Sequence, residues 1–358
     1  LYNAIGQQTY GYWGAVEVGE DGNKYKSWQM GHYGPVLGFH HPRNIPGTPI
    51  FMGNGSLGSS GHKLENRLAG MVCDIMPHVE AVWLSQTGGN ACEAAVRIAR
   101  AETGRNRVVS SGYHGMSSSF IRPPRDGGIT YGTAEGTRYV PYRDSEELKR
   151  RLDSMAACWI VDLSMDDGTD DFLDWLRLGI DLCTKSSIPI ILDEVVTGFR
   201  LGLRGAVEYY GKVGIDINPS MVVYGKAWGS PVSVLGGQID FMQHLADDVY
   251  SSSTFSGDPF AVSIAIAFLE NVTRFDSVFE KISKIGHSLK EGLQDLGFGT
   301  VGQDTNFSIR LPRDERKSFA KHMFDNGIIM WNRNYATDAH NKLDVKTTLE
   351  KVKTWEKK

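Results

Sequence analysis

Ile188-Pro-Ile-Ile-Leu-Asp193-Glu194-Val-Val-Thr-Gly-Phe-Arg200 and Ser220-Met-Val-Val-Tyr-Gly-Lys226-Ala-Trp-Gly229 decide how this chain reads. Each begins as a short apolar run and arrives at a charged residue. Runs of that length, rich in β-branched residues, read as buried strands. Asp193 therefore closes one strand, and Lys226 stands just past a later one, 33 residues on. A lysine amine so placed can condense with an aldehyde, and a carboxylate at a strand end can hold a heteroaromatic nitrogen protonated. Taken singly, such an acid is more often a helix cap and such a lysine a solvated charge.

Working outward, further apolar runs at 80–84, 107–110, 159–161, 188–192, 221–224 and 232–235 alternate with helical segments from residue 64 onward. Such alternation predicts an α/β fold whose largely parallel sheet carries helices on both faces, with catalytic groups gathered at strand ends. Before it, 15–18 and 24–25 flank a turn at Glu20-Asp21-Gly22-Asn23 and predict a small antiparallel element. The Gly-, Pro- and His-rich stretch 31–61 reads as loop, and His40-His41 lacks a third ligand at metal spacing. After about residue 250, helices at 261–272, 277–296, 316–325 and 344–355 with a strand at 305–310 form a separate α+β unit. The expected domains are a segment 1–30 that joins the small domain, a large domain 31–250 and a small C-terminal domain 251–358.

A chain of 358 residues, 41% apolar and 22% charged, is ample for such a core. Its net charge of −4 offers no attraction to nucleic acid or an anionic membrane. Cys73, Cys92, Cys158 and Cys183 are scattered, without zinc spacing or a disulfide framework. Leu1-Tyr-Asn-Ala-Ile-Gly-Gln-Gln8 is not an apolar leader, so the expected compartment is a reducing cytoplasm.

Three motifs surround the Asp–Lys pair. Gln86-Thr87-Gly88-Gly89-Asn90 lies between a strand and a helix whose apolar face is Ala91, Ala94, Ala95, Ile98 and Ala99. Glycine there lets backbone amides approach a phosphate at the positive end of the helix; the alternative is a tight turn capped by Asn90. Gly112-Tyr113-His114-Gly115 follows the next strand and brings an aromatic ring to the same sheet edge. Ser253-Thr254-Phe255-Ser256-Gly257-Asp258-Pro259 offers hydroxyls just before a helix with Asp258 as N-cap and Pro259 at its first position. Phosphate, ring and lysine together point to pyridoxal 5'-phosphate (PLP).

With these residues the chain resembles the class III PLP-dependent aminotransferases, and within them the glutamate semialdehyde aminomutase branch, from about residue 22 to 351. The segments Leu192–Arg200 and Tyr224-Gly-Lys226 carry most of the likeness, supported by 94–105, 112–115 and 254–259. The resemblance implies fold type I, with a mostly parallel sheet of seven-stranded type and a smaller α+β domain. It implies that Lys226 forms the imine with the cofactor and that Asp193 binds the pyridine nitrogen. Val195 and Tyr113 would cover the two ring faces, with His114 beside them. Gly88, Gly89 and Asn90 would hold the phosphate, and Thr254 would reach in from the partner of a homodimer with shared sites. The implied activity moves an amino group between a small amino donor and a keto acid or aldehyde through pyridoxamine phosphate. Alternatives are a glutamate semialdehyde-type 2,1-aminomutase and a PLP-binding protein with little turnover.

The chain departs from the family pattern where Ser-Gly-Thr-Glu becomes Thr87-Gly88-Gly89-Asn90 and where Glu-Pro becomes Asp162-Leu163. Arg43, Arg122, Arg125, Arg200 and Arg333 are the candidates for binding a substrate carboxylate.

Overall fold

In a computed structural model, residues 9–42, 61–123 and 126–355 are described. Three N-terminal strands, β1 (Thr9–Trp13), β2 (Val16–Gly19) and β3 (Lys24–Ser27), form an antiparallel meander. Seven more build the central sheet: β4 (Ala81–Ser85), β5 (Arg107–Ser111), β6 (Thr137–Tyr139), β7 (Ala156–Asp162), β8 (Ile190–Glu194), β9 (Met221–Tyr224) and β10 (Ser233–Gly237). Their order is β4-β10-β9-β8-β7-β5-β6. Six run parallel; β10 is antiparallel to both of its neighbours.

All residues of β7, β8, β9 and β10 are buried, as a sheet covered on both faces requires. On one face the helix Gly88–Thr103 lays down the predicted Ala91, Ala94, Ala95, Ile98 and Ala99 against Cys158, Ile160, Ile191 and Val223. On the other, the helix Asp170–Lys185 presses Phe172, Trp175 and Leu176 toward Trp159. Gly179 is needed there: a Cβ at that position would lie 2.4 Å from the Trp159 ring. Each large apolar side chain so buried contributes roughly 1.5–3 kcal/mol.

The last third supplies β11 (Gly299–Gln303), β12 (Asn306–Arg310), β13 (Ile328–Ile329) and β14 (Arg333–Tyr335). β11, β12 and β14 form a three-stranded sheet, while β13 pairs in parallel with β3. Helices Ser277–Asp295, Glu315–Asp325 and Lys342–Lys353 fall close to their predicted places. Asp258 caps the helix Pro259–Arg274 by accepting from Ala261 N, with Pro259 in its first turn, as its sequence predicts.

His340 ties the two ends of the chain together. Buried and stacked on Trp28 at 4.0 Å, it donates from Nε2 to the Ser27 carbonyl and accepts at Nδ1 from Thr337 N. Burial pushes its pKa down to about 4. The native state thus holds it neutral while the unfolded chain protonates it below about 6.5. Its contribution to stability is intact above that value and is lost as pH falls toward 4. Chemical denaturation across this window should show a loss on the order of 3 kcal/mol, which His340→Gln should flatten.

Candidate active site

The carboxyl ends of the parallel strands meet at one edge of the sheet, where open α/β sheets bind their ligands. From that edge project Asp162 at the end of β7, Asp193 within β8 and Lys226 just past β9. Tyr113, His114 and Gly115 after β5 and Thr87 after β4 reach the same edge. These residues line a cavity of about 1210 Å³ together with Gly88, Gly89, Asn90, Tyr113, His114, Val195 and Arg333. The expected residues of one subunit are thereby brought together. Thr254 is exposed and does not line this cavity, although Tyr250, Ser251, Ser252 and Ser253 before it do.

Asp193 is 3% exposed and well supplied with donors. Val195 N donates to Oδ1 at 3.1 Å, and His114 Nδ1 lies 2.8 Å from Oδ2. The Cys92 thiol reaches the same Oδ2 at 3.6 Å. His114 therefore supports the aspartate and stands edge-on to Phe120, with its buried Nε2 unpartnered among the described residues. The aspartate's thiol contact was not legible: Cys92 lies one helical turn beyond Gly88, on a position that reads simply as core.

Lys226 sits at φ +40°, a left-handed conformation that a non-glycine residue adopts only when its surroundings impose it. Val36 N bonds to the Ala227 carbonyl and Gly229 N to the Lys226 carbonyl, fixing the turn on both sides. Burial holds the Lys226 ammonium below the ordinary lysine range, opposed by the negative charges of Asp193 and Asp162. A depressed lysine inside a cavity that also holds a buried carboxylate is a site for amine chemistry.

The helix Gly88–Thr103 begins at this cavity. Its N-cap is Thr87, whose side chain accepts from Asn90 N at 3.2 Å, and not Asn90 itself. The Gly88 and Gly89 amides precede the first intrahelical bond and lie at the positive end of a 16-residue helix. A Cβ on Gly88 would come 2.5 Å from Val195 Cγ2, so glycine lets the helix start close against the residue after the Asp-Glu pair.

The arginine candidates separate by their partners. Arg200 is buried and donates to the carbonyls of Val196 at 3.1 Å and Gly34 at 2.7 Å, which makes it structural. Arg122 donates to the Gly112 carbonyl at 2.9 Å and lies over the Tyr139 ring. Arg43 and Arg125 lie outside the described residues. Arg333 lines the cavity.

Among solved structures, the PLP internal aldimine form of the FumI protein of Sphingopyxis sp. MTA144 superposes with a TM-score of 0.85 at 22% identity, covering 96% of this chain and 87% of that one. An omega-transaminase from Sphaerobacter thermophilus gives 0.84 at 19% identity, covering 96% and 89%. The fold is thus the type I fold of PLP-dependent transaminases. A family model described as aminotransferase class-III matches residues 168–333. A glutamate-1-semialdehyde 2,1-aminomutase of Acetivibrio thermocellus is 30% identical over 383 residues, spanning 95% of this chain and 88% of the relative. Another, of Chlorobium phaeobacteroides, is 34% identical over 310 residues, spanning 79% and 69%. The chain belongs to the class III aminotransferase family.

Proposed function

We propose that this protein transfers an amino group between a small amino donor and a carbonyl acceptor, with PLP bound in the cavity and Lys226 as its covalent anchor and catalytic base. The observation that carries the reading is the convergence of Lys226, Asp193 and the Gly88–Gly89 helix start on one cavity. The residues fit the group: a buried carboxylate with three donors suits a protonated ring nitrogen, and free amides at a helix start suit a phosphate. Bound there, PLP supplies an aldehyde that captures amines and a ring that takes up the electron pair left when a substrate C–H bond breaks.

Around it the chain does the rest. Lys226 Nζ, freed by the incoming amine, would take the proton from the substrate carbon and return it two atoms away, at the carbon to which the lysine had itself been joined. Its depressed pKa leaves more of it in the neutral, proton-accepting form at a given pH than an ordinary lysine. Asp193, held in place by His114, Cys92 and the Val195 amide, would pair with the ring nitrogen. Gly88, Gly89 and Asn90 would hold the phosphate, while Val195 and Tyr113 would cover the ring faces.

A homodimer with shared sites belongs to this reading. Tyr113, Met116 and Tyr250 line the cavity yet are 64%, 84% and 80% exposed, an apolar rim that suits cover by a second copy. Thr254, exposed and outside the lining of its own cavity, would then donate to the phosphate next door. Pairing of β3 with β13 supports counting 1–30 with the small domain. Among the described residues no helix is long and apolar enough to cross a membrane, in keeping with the cytoplasmic compartment we propose.

Thr254→Ala should weaken PLP binding about 10- to 100-fold, the value of one hydrogen bond to a charged group. Mixed dimers of a Lys226→Ala chain with a Thr254→Ala chain should contain one intact site if Thr254 crosses the interface. If it serves its own chain they contain none, and turnover at limiting PLP decides between the two.

The relatives favour a second reading, the 2,1-aminomutase. Screening amino donors with and without added keto acids and aldehydes separates them. Dependence on an external acceptor supports transamination, and conversion of glutamate semialdehyde alone supports the mutase. A holoprotein whose visible absorption no amine disturbs would sink both.

A further inference from the structure

The loop after β5 is fastened to the helix Gly88–Thr103 by contacts that the proposed chemistry does not itself employ. Gly89 and Glu93, four residues apart, share one face of that helix, and the loop meets both. At Gly89 the two backbones touch: a Cβ on Gly115 would lie 2.7 Å from Gly89 Cα. At Glu93 the carboxylate takes a hydroxyl on each oxygen, Ser117 Oγ donating to Oε2 at 2.5 Å and Ser119 Oγ to Oε1 at 3.0 Å. Ser117 Oγ also accepts from Ser119 N at 3.4 Å, which ties the two serines to each other. Phe120, the next residue, is buried in the cluster that holds this helix's alanines. Glu93 and Ser117 both line the active-site cavity, so the clasp closes at its wall. The Tyr113 ring, 64% exposed, has by contrast no hydrogen-bond or ring-stacking partner among the described residues.

We propose that Glu93 is a positioning residue for the cofactor: by clasping Ser117 and Ser119 it holds the backbone of 112–115, and through that backbone the Tyr113 ring, at the cavity. The inference rests on the PLP reading of the same cavity. Gly112 at φ +108° and Gly115 at φ +95° place a permissive residue on either side of Tyr113 and His114. A segment flanked by two glycines needs a tether outside it. An ionised carboxylate that accepts two hydroxyls is a stronger tether than a neutral acceptor. The bond between His114 and Asp193 fixes the loop at one point, and Glu93 supplies the further points without which it could pivot. Tyr113, with no polar partner of its own, takes its place from the course of the backbone alone.

Two measurements on the PLP-saturated protein test this without knowledge of the natural substrate. One is the induced circular dichroism of the visible band, which reports how asymmetrically the ring is held. The other is the rate at which that band is lost on transfer to PLP-free buffer. Glu93→Ala should reduce the dichroism and raise the loss rate about tenfold, as removal of hydrogen bonds to a charged acceptor implies. Glu93→Gln, which keeps an acceptor for one hydroxyl, should return to within about threefold of native. Ser117→Ala together with Ser119→Ala removes the clasp from the loop side and should match Glu93→Ala; it serves if that variant folds poorly. The deciding comparison is made in Tyr113→Ala, where the clasp has no ring to hold. There Glu93→Ala should change the loss rate by less than about twofold, because two residues that act through one contact are not additive. Equal effects of Glu93→Ala with and without Tyr113, or native dichroism and loss rate in both Glu93→Ala and the serine pair, overturn the proposal. A native protein that gives no visible band with PLP overturns the cofactor reading, and this inference with it.

Discussion

Lys226→Ala should leave a folded protein with no covalently anchored cofactor and a turnover reduced on the order of 10⁴-fold, the upper range for a lost general acid–base. The effect is large because Lys226 is the one primary amine among the described lining residues, Arg97 and Arg333 offering guanidinium groups instead. Folding should survive, since the turn is held by backbone bonds from Val36 and Gly229 that the side chain does not make. Borohydride reduction followed by peptide mapping should find the pyridoxyl adduct on the native peptide at 226 and nowhere in the variant. Native turnover in the variant, or an adduct on another lysine, would remove the central assignment.

Asp193→Asn should be the next most damaging change. It preserves shape and the acceptor for Val195 N while deleting the charge proposed to meet the ring nitrogen. Removing one member of a buried ion pair costs about 3–5 kcal/mol, so turnover should drop roughly 10²- to 10³-fold or further. His114→Asn, which removes a support for the acid and not the acid, should cost far less. Rapid-mixing spectra of the first half-reaction would resolve the two. Equal losses in both would mean that the aspartate's part is orientation, with its charge incidental.

Much of this was legible because strong local signals agree. β8 and β9 could be read from their apolar runs, and their charged ends gave Asp193 and Lys226. The helix after Gly88 was written in its spaced alanines. What remained hidden depends on packing between distant segments. β6, Thr-Arg-Tyr at the sheet edge, has no apolar run to announce it. The reversed direction of β10 leaves no mark on a strand buried on both faces, because either direction buries the same residues. Thr87 took the cap from Asn90 because the helix begins one turn earlier than its apolar stripe suggests. The contact of Cys92 with Asp193 joins residues whose proximity only the sheet order creates.

The pairing of β3 with β13 also governs when the molecule can be completed. Lys26 lies opposite Ile328, 302 positions away along the chain, and His340 closes over Ser27 from still farther. During synthesis β3 leaves the ribosome well before β13 and must wait for the central sheet to be made before its edge is covered. The central sheet, whose helices and strands alternate locally, can condense meanwhile. An early segment with an unpaired edge and a late-arriving partner is a place for chaperone contact or misassembly. The folding hazard of this chain is therefore concentrated at the seam between early and late segments, where Gln29 bonds to the carbonyl of the cavity-lining Arg333.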